Sequence, residues 1–272
     1  MKIGIVGQGF VGNAVYQQFK KHYDVRVFDM RPMERNTSFE DVARCDYVFV
    51  CLPTPMNSDG SCNTDIVEGV IKQIEEIGET KGIVVKSTIP PTTTEKWNEK
   101  YKTNIVFNPE FLTERNAVSD YQNQTRIILG GPRPTTTELK QIFSKVFPKA
   151  DIIKTNSTYA EMVKYVTNTF LSVKVSFANE IYQLCNEVGA DYDKVIEYAT
   201  MDERLGKSHW NVPGHDGDYG FGGHCFPKDL AALLHMTKEF GTIDNVLSAA
   251  QRTNDEVRGN RDWEKMKGRA VT

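Results

Sequence analysis

The sequence predicts an α/β fold, in which a Rossmann-like, doubly wound and mostly parallel sheet precedes an all-helical domain built on a long central helix. Two observations indicate the sheet: short apolar runs alternate with helical patterns, and a glycine-rich turn follows the first run. A third indicates the helical domain, because one continuous helical face replaces the alternation from about residue 157. We therefore expect one domain over residues 1–155 and a second over residues 156–272.

Six short apolar runs are the expected strands of the first domain, and helical patterns separate them. The pattern over residues 66–77 is typical, since its isoleucines and valines recur three and four positions apart. Alternation at this rhythm favours parallel strands joined by crossover helices. The expected strands are residues 3–6, 25–28, 47–52, 83–85, 105–107 and 127–129, and the expected helices are residues 11–19, 66–77, 92–100 and 135–147.

The long central helix is expected over residues 157–188, where no proline occurs. Its apolar positions repeat at three-, four- and seven-residue steps and so form one face. A helix of roughly 30 residues extends about 45 Å. This length suggests a central helix of the domain that also forms the interface of a homodimer. The alternative is two shorter helices joined by a kink. The face consists of Val166, Phe170, Phe177, Ile181, Leu184 and Val188.

The ends of the long helix carry further signals. Thr158 and Glu161 have the spacing of a capping box at its start, and Gly189 stops it. Asp191 can cap the helix that follows. A polar, glycine-rich loop is expected over residues 202–223, before two more helices over residues 229–240 and 245–267.

The composition excludes several classes of protein. A net charge of -3 and a pI of about 6.0 give no broad surface for nucleic acid or membrane. No apolar run approaches the roughly 18–20 residues that span a bilayer, and the N-terminus lacks the features of a signal peptide. Five cysteines without a CxxC pair favour free thiols in a reducing cytoplasm.

A dinucleotide site is predicted at Gly7-Gln8-Gly9-Phe10-Val11-Gly12, which follows the first strand and opens the first helix. The first glycine permits the tight turn, the second lets the backbone approach a pyrophosphate, and the third allows close helix–strand packing. Asp29 ends the second strand, where an acid binds the ribose 2′-hydroxyl and favours NAD over NADP. Arg31 lies close by, so NADP is an alternative cofactor. The alternative to a dinucleotide site is a glycine turn that only packs a flavodoxin-like sheet.

Polar residues also follow the later strands, whose carboxyl ends line the ligand crevice in such sheets. Pro53 and Thr54 follow the third strand and Thr88 follows the fourth, while the segment NPEFLTE, residues 108–114, follows the fifth. Two pairs lie four residues apart, Lys164 with Asn168 and Cys225 with Asp229. Taken singly, each has a plainer interpretation as a solvated helix face, surface glutamates or an inert cysteine.

Together these motifs resemble the UDP-glucose/GDP-mannose dehydrogenases. The resemblance runs in the family's order from residue 1 to about residue 258. GFGGHCFPKD and NPEFLTE are its most specific parts, whereas the glycine fingerprint is common to many folds. It rests on GQGFVG, CLPTP, KSTIPP, NPEFLTERNAVSD, the K-x-x-x-N of KYVTNTFL, and GFGGHCFPKD.

The resemblance implies a four-electron oxidation of a nucleotide sugar at C6, with two NAD⁺ consumed and a place in polysaccharide biosynthesis. Cys225 would be the nucleophile that forms a thiohemiacetal and then a thioester, and the N-terminus of a helix can lower a thiol pKa. Lys164 would stabilise oxyanionic states, with Asn168 as a hydrogen-bond donor. Asp229 would hold or deprotonate water, with Thr88 and Glu110 ordering it.

The resemblance also implies the rest of the two binding sites, and the spacing of the histidines argues against a metal. His209, His215 and His224 lie near Cys225 in sequence, but their spacing matches no standard ligand pattern. The cofactor site would comprise Gly7, Gly9, Phe10, Val11, Gly12, Asp29, Pro53, Thr54, Thr88, Glu114 and Lys228. The substrate site would comprise Glu110, Phe111, Leu112, Lys164, Asn168, Gly220, Phe221, Gly222 and Gly223.

Two departures from the family pattern bear on the substrate. Members of the family usually continue into a third, Rossmann-like domain; the sequence leaves no room for it, so we expect either a natural minimal form or a fragment. Residues 212–219 form a longer spacer than usual before the glycine loop. The alternatives to the nucleotide-sugar enzyme are a two-electron hydroxyacid dehydrogenase with Lys164 as base, and a non-catalytic NAD-binding subunit.

Overall fold

The computed structural model describes residues 1–272 and contains two compact units. The first unit comprises Met1–Thr54 and Thr64–Lys164. The second comprises Pro55–Asn63 and Tyr165–Thr272, so that a short stretch of the N-terminal half belongs to it.

The first unit contains a seven-stranded sheet of order β2-β1-β3-β4-β5-β6-β7. All neighbouring strands are parallel except β5 and β6, which pair in antiparallel fashion between Phe107 and Gly130. This is the predicted doubly wound, mostly parallel sheet. The strands are β1 Lys2–Val6, β2 Asp24–Phe28, β3 Tyr47–Val50, β4 Gly82–Val85, β5 Ile105–Phe107, β6 Arg126–Gly130 and β7 Asp151–Thr155.

Both faces of the sheet are covered because side chains alternate along each strand. In β3, Tyr47 and Phe49 belong to one buried cluster, whereas Val48 and Val50 belong to another. Helices α1, α5 and α6 contribute to the first cluster, and α2, α3 and α4 to the second. These helices are α1 Phe10–Phe19, α2 Phe39–Ala43, α3 Asp65–Ile77, α4 Thr93–Lys100, α5 Ala117–Gln122 and α6 Thr135–Val146.

The six expected strands are present, together with a seventh, β7, that was not among the predicted strands. This strand pairs only with β6, at the edge of the sheet, and most of its side chains are at least partly exposed. Its segment DIIKT therefore lacks the continuous apolar run by which the inner strands are recognised.

The second unit is helical, and its longest helix begins in the first unit, which extends to Lys164. The long helix α7, Ser157–Val188, runs unbroken for 32 residues, so the alternative of two kinked helices is wrong. Gly189 follows it with a positive φ of 73°, as expected of a glycine that ends a helix. The other helices are α8 Tyr192–Ala199, α9 Phe226–Phe240 and α10 Asn245–Val257.

The capping box expected at the start of α7 is wrong. Asn156 performs the capping, since its Oδ1 accepts a hydrogen bond from the backbone amide of Tyr159 at 2.8 Å. The Glu161 carboxylate is fully buried and instead accepts the backbone amides of Thr92 and Thr94, at 2.7 and 2.8 Å. Glu161 thereby caps the neighbouring helix α4, whose own N-cap Thr92 makes no side-chain cap.

The last predicted helix is too long, because α10 ends at Val257 rather than at residue 267. Arg258 is already extended, with ψ of 112°, and its guanidinium makes tertiary hydrogen bonds. Beyond it the chain forms short bridges, in which Met56 pairs with the C-terminal segment around Val271. None of the helices combines the length and the apolar character needed to cross a membrane.

Candidate active site

The glycine-rich turn in the first unit is shaped for close backbone approach. Gly7 has a φ of 91°, and a Cβ there would lie 2.3 Å from the carbonyl oxygen of Cys51. A Cβ on Gly12 would lie 1.9 Å from the Gly7 carbonyl oxygen, whereas one on Gly9 would meet nothing within 4 Å. The outer glycines are therefore required by packing, and the middle one leaves open space at the start of α1. This arrangement fits the pyrophosphate of a dinucleotide.

Asp29 follows β2 and lies beside this turn. Its Oδ2 accepts the backbone amide of Gln8 at 2.7 Å, and its Oδ1 accepts the backbone amide and Nε of Arg31, both at 2.9 Å. The hydrogen bond from Arg31 is the main reason why the Asp29 pKa falls to about 2. An ionised carboxylate at this position accepts a ribose hydroxyl and repels a 2′-phosphate, which fits NAD.

The segments that follow β3 and β4 are hydrogen-bonded to each other. The Thr54 hydroxyl donates to the carbonyl oxygen of Thr88 at 2.7 Å, and the Leu52 amide donates to Oγ of Ser87 at 3.0 Å. Thr54 and Thr88 are both buried, and Pro53, directly before Thr54 in the chain, is half-buried. Two of the predicted cofactor residues are thus held together at the carboxyl edge of the sheet.

Lys164 and Glu110 form a buried ion pair in the first unit. The Lys164 Nζ donates to Oε1 of Glu110 at 2.9 Å and to its carbonyl oxygen at 2.6 Å, and it lies 5.6 Å from the ring centre of Phe111. Burial alone would raise the Glu110 pKa, but the Lys164 ammonium and the Leu112 amide hold it below its usual value. The arrangement keeps a positive charge fixed at the end of β5.

Lys86 is a second buried cation of this region and is not among the predicted site residues. Its Nζ donates to Oδ1 of Asn108 at 2.8 Å and to the carbonyl oxygen of Asn108 at 3.2 Å. Burial lowers the pKa of Lys86 to about 8. A signal was available, because a lysine directly after the wholly apolar strand GIVV has little solvent near it.

Cys225 is the N-cap residue of α9 in the second unit. Its side chain is half-buried, and Pro227 lies in the first turn of the helix. The carbonyl oxygen of Cys225 accepts the backbone amide of Asp229 at 2.9 Å, so these two residues lie one helical turn apart. A thiolate at this position is stabilised by the positive end of the helix.

Asp229 lies buried between a neutral and a charged donor. Its Oδ2 accepts Nδ2 of Asn168 at 2.6 Å, and its Oδ1 accepts Nζ of Lys228. Burial alone would lower the Lys228 pKa, but Asp229, Cys62 and Cys225 more than offset this and raise it. Asn168, Lys228 and Asp229 are each less than a tenth exposed. The second unit thus contains a compact polar cluster around Asp229, one helical turn from Cys225.

The remaining predicted site residues lie at the ends of elements. Phe10 and Val11 form the first turn of α1, and Leu112 follows β5 half-buried. Glu114 is exposed at the start of the 3₁₀ helix Glu114–Asn116. In the second unit Gly220 and Phe221 are buried, and Gly222 and Gly223 are half-buried. Within each unit the structure joins Thr54 with Thr88, Glu110 with Lys164, and Asn168 and Lys228 with Asp229.

Comparison with protein families identifies both parts of the chain. Residues 29–150 match the NAD binding domain of the UDP-glucose/GDP-mannose dehydrogenase family, and residues 158–256 match its central domain. The cofactor prediction of NAD is confirmed by the first match, to which the glycine turn and Asp29 add a structural fit.

Curated relatives give the same assignment. The chain is 34% identical over 241 residues to the UDP-glucose 6-dehydrogenase TuaD of Bacillus subtilis, covering 85% of this chain and 51% of that protein. It is also 34% identical over 233 residues to the UDP-glucose 6-dehydrogenase of Rickettsia bellii, covering 81% of this chain and 52% of that protein. The chain thus spans about half the length of the curated relatives it matches.

Solved structures agree. A UDP-glucose dehydrogenase from the hyperthermophilic archaeon Pyrobaculum islandicum superposes with a TM-score of 0.84 at 27% identity, covering 94% of this chain and 68% of that one. A UDP-D-ManNAc dehydrogenase from Pyrococcus horikoshii shares the fold, with a TM-score of 0.80 at 24% identity over 94% of this chain and 69% of that one. The resemblance carried by the motifs is confirmed, and the chain belongs to the UDP-glucose/GDP-mannose dehydrogenase family.

Proposed function

We propose that this protein oxidises the C6 primary alcohol of a nucleotide sugar, with UDP-glucose favoured, to the uronic acid at the expense of two NAD⁺. The observation that carries the proposal is the buried cluster of Asn168, Lys228 and Asp229 one helical turn after Cys225. The relatives named UDP-glucose 6-dehydrogenase support the choice of sugar.

The first oxidation converts the alcohol to an aldehyde. Bound NAD⁺ supplies the hydride acceptor of this oxidation and of the second one. The Lys164 ammonium, held by Glu110, stabilises negative charge as it develops on the sugar oxygen. The alcohol proton leaves to solvent.

The second oxidation is covalent. The thiolate of Cys225 adds to the aldehyde carbon, and the carbonyl oxygen takes up a proton to give a thiohemiacetal. Loss of hydride from this carbon and of the hydroxyl proton then gives a thioester. Two hydrides and the corresponding protons have now left the sugar, which accounts for four electrons.

Hydrolysis completes the turnover. Asp229 accepts a proton from water, whose oxygen attacks the thioester carbon, and the carbon–sulfur bond breaks to release the acid and the Cys225 thiolate. Each carboxylate oxygen of Asp229 accepts one side-chain donor, from Asn168 or Lys228, and retains a lone pair for water.

The pairing of Lys164 argues against the hydroxyacid dehydrogenase alternative. A general base must be neutral when it takes the proton, whereas a buried carboxylate at 2.9 Å favours the charged ammonium. The ion pair therefore favours a charge-stabilising role for Lys164.

A homodimer through α7 is part of the proposal. Five apolar side chains of this helix are about half exposed or more. Burying them in an interface would remove apolar surface from water and stabilise an assembly. Their steps of four and seven residues place them along one face, which a second copy of the same helix fits. They are Val166, Phe170, Phe177, Leu184 and Val188.

A cytoplasmic location is also proposed. None of the five cysteines, Cys225 included, forms a disulfide bond. A reducing compartment preserves such thiols, and the covalent mechanism requires a reduced Cys225.

The test is product stoichiometry with a panel of nucleotide sugars. The protein is incubated with NAD⁺ and UDP-glucose, GDP-mannose or an N-acetylated UDP-sugar; NADH is read at 340 nm and acid product by mass spectrometry. We expect two NADH per acid with one of these sugars. One NADH per product would indicate the hydroxyacid dehydrogenase, and NAD binding without turnover on any sugar would indicate the non-catalytic subunit.

The covalent step is tested with Cys225→Ser. We expect no complete turnover to acid, because an alcohol side chain replaces the thiolate. Cys185→Ser is the matched control, since Cys185 is a buried thiol of α7 in the apolar cluster around Trp210. Acid production by Cys225→Ser at the rate of the unsubstituted protein would exclude the thioester route.

A further inference from the structure

Arg258, directly after α10, lies within a group of three aspartates in the second unit. Its guanidinium is 2% exposed, and its Nη2 lies 2.7 Å from Oδ2 of Asp216 and 3.4 Å from Oδ1 of Asp262. Its Nε lies 3.5 Å from Oδ2 of Asp218. Burying an unpaired guanidinium costs free energy. The buried Arg258 is therefore stable only while the three carboxylates keep their positions around it.

The residues fixed in this way are those of the glycine loop, residues 219–223. The carbonyl oxygen of Tyr219 accepts Nη1 of Arg258 at 3.3 Å, and the Gly223 amide donates to both carboxylate oxygens of Asp262 at 3.1 Å. Between them, the Phe221 amide donates to Oδ1 of Asn254 at 2.7 Å, and Nδ2 of Asn254 donates back to the Phe221 carbonyl oxygen at 3.1 Å. Side chains from a single region, residues 254–262, therefore hold the loop backbone at three points.

The glycines of the loop are explained by the same side chains. A Cβ on Gly222 would lie 2.3 Å from Nη2 of Arg258 and 2.4 Å from Oδ1 of Asp262. A Cβ on Gly220 would lie 2.2 Å from Oδ1 of Asn254. Any larger residue at either position would displace these groups from the loop.

The long spacer before the loop supplies two of the three carboxylates. Asp216 and Asp218 both lie within residues 212–219, and Oδ2 of Asp218 also accepts the Asn260 amide at 3.0 Å. Burial would raise the Asp216 pKa, but the hydrogen bond from Arg258 lowers it. The spacer is thus tied back onto Arg258 by its own charges.

We propose that Arg258 and Asp262 are positioning residues that set the geometry and the reactivity of Cys225. Gly223 is two residues before Cys225, so fixing its amide fixes the direction in which the chain enters α9. This inference rests on the proposed function, in which the Cys225 thiolate must meet an aldehyde carbon within a narrow range of positions.

The test compares Asp262→Asn, Arg258→Lys and Arg258→Met in the full chain. Arg261→Met is the matched control, because Arg261 is a nearby exposed arginine that pairs with Asp255 and Glu264. Three quantities are measured: hydrogen exchange of the peptide covering residues 219–225, alkylation of Cys225 by iodoacetamide relative to Cys62, and kcat with KM for NAD⁺.

We expect exchange in Asp262→Asn to be roughly tenfold faster, as when one charge-assisted hydrogen bond is removed. Cys225, which is half-buried, should be alkylated faster, and kcat should fall roughly 10- to 100-fold with KM for NAD⁺ unchanged. Arg258→Lys should recover part of what Arg258→Met loses, while Arg261→Met stays at the unsubstituted values.

The exchange and alkylation measurements need no turnover, so they separate this inference from the proposed function. If the unsubstituted protein oxidises no sugar while both rates rise as expected, the proposed function fails and the positioning of Cys225 stands. Unchanged exchange and unchanged alkylation in Asp262→Asn and Arg258→Met would overturn the positioning role, as would a full kcat in both variants.

Discussion

Asp29 shows how one side chain can both close a turn and select a cofactor. Its carboxylate holds the Gln8 amide and the Arg31 side chain at once. The ion pair also explains the role of Arg31, which from the sequence alone could have been to bind NADP. The arginine is engaged with Asp29 in this structure, and its charge stabilises the acid that disfavours a 2′-phosphate.

Replacing Asp29 by Ser should therefore change cofactor preference. We expect affinity for NAD to fall roughly tenfold or more with the loss of a charged hydrogen-bond acceptor, and the ratio of NAD to NADP affinity to fall further as the repulsion is removed. Titration of each cofactor by calorimetry measures both. Asp24→Ser is the control, since Asp24 is an exposed acid at the other end of β2.

The contribution of the Asp29 charge to this preference should be constant between about pH 5 and pH 8, whereas the 2′-phosphate of NADP itself gains charge through its second pKa of about 6. Because the Asp29 pKa is about 2, the carboxylate stays ionised between about pH 5 and pH 8. An unchanged NAD to NADP ratio in Asp29→Ser would contradict the assigned role of this acid.

Lys86 yields a prediction about stability. Burial holds its pKa at about 8, against an ordinary value of 10.5, so between these two values the unfolded chain binds more protons than the folded one. The contribution of Lys86 to the free energy of unfolding should therefore rise with pH across this window, by about 3 kcal/mol in full, and be lost as pH falls through 8.

Urea unfolding of the unsubstituted protein and of Lys86→Met, at several values between pH 7 and pH 10.5, measures this contribution. The difference between the two free energies of unfolding should increase with pH in favour of the unsubstituted protein, because effects common to both chains cancel. Two curves that run parallel across the whole range would show that the folded lysine titrates normally.

The residues that the sequence could not predict share one property, which is that their partners are distant in the chain. Arg258 was expected within a charged helix, and nothing nearby in sequence indicates a contact with Asp216. Cys225 and Asp229, by contrast, carried local signals, namely the glycines before them and the helix that they begin.

At the scale of elements, apolar periodicity identified α7 correctly but gave the wrong account of its first turn. Periodicity reports which face of a helix can be buried, and this face was found. Which donor satisfies Glu161 depends on tertiary packing, and the amides of Thr92 and Thr94 are supplied by another helix. A sequence motif for capping cannot distinguish these two uses of the same carboxylate.

The exposed face of α7 predicts the state of assembly. A double substitution, Phe170→Glu with Phe177→Glu, should convert a dimer into a monomer, since it places four carboxylates in a desolvated interface between two copies. Sedimentation equilibrium should give twice the chain mass of 30.8 kDa for the unsubstituted protein and the single mass for the variant.

Phe240→Glu is the control for this experiment, because Phe240 is a similarly exposed phenylalanine at the end of α9. It should leave the dimer intact. A monomer for the unsubstituted protein at micromolar concentration would remove the proposed interface.

At the scale of the whole molecule, the class of fold followed from the sequence because strand–helix alternation is a local pattern repeated many times. The helical second half followed for the same reason. What the sequence could not indicate is that residues 55–63 belong with the second unit. That assignment depends on backbone pairing, in which the Met56 amide donates to the carbonyl oxygen of Ala270 at 2.8 Å. Side-chain patterns do not indicate which backbone amide pairs with which distant carbonyl group.

This pairing has a consequence for the order in which the chain acquires its structure during synthesis. The strands and helices of the first unit are complete once residue 164 has emerged from the ribosome, so that unit can fold early. Met56, in residues 55–63, must wait for partners that are made much later, since its backbone pairs with Ala270 and Thr272. Contacts over so long a span are slow to form, and a nascent chain that stalls short of residue 270 would present this segment to chaperones and proteases without its pairing to Ala270 and Thr272.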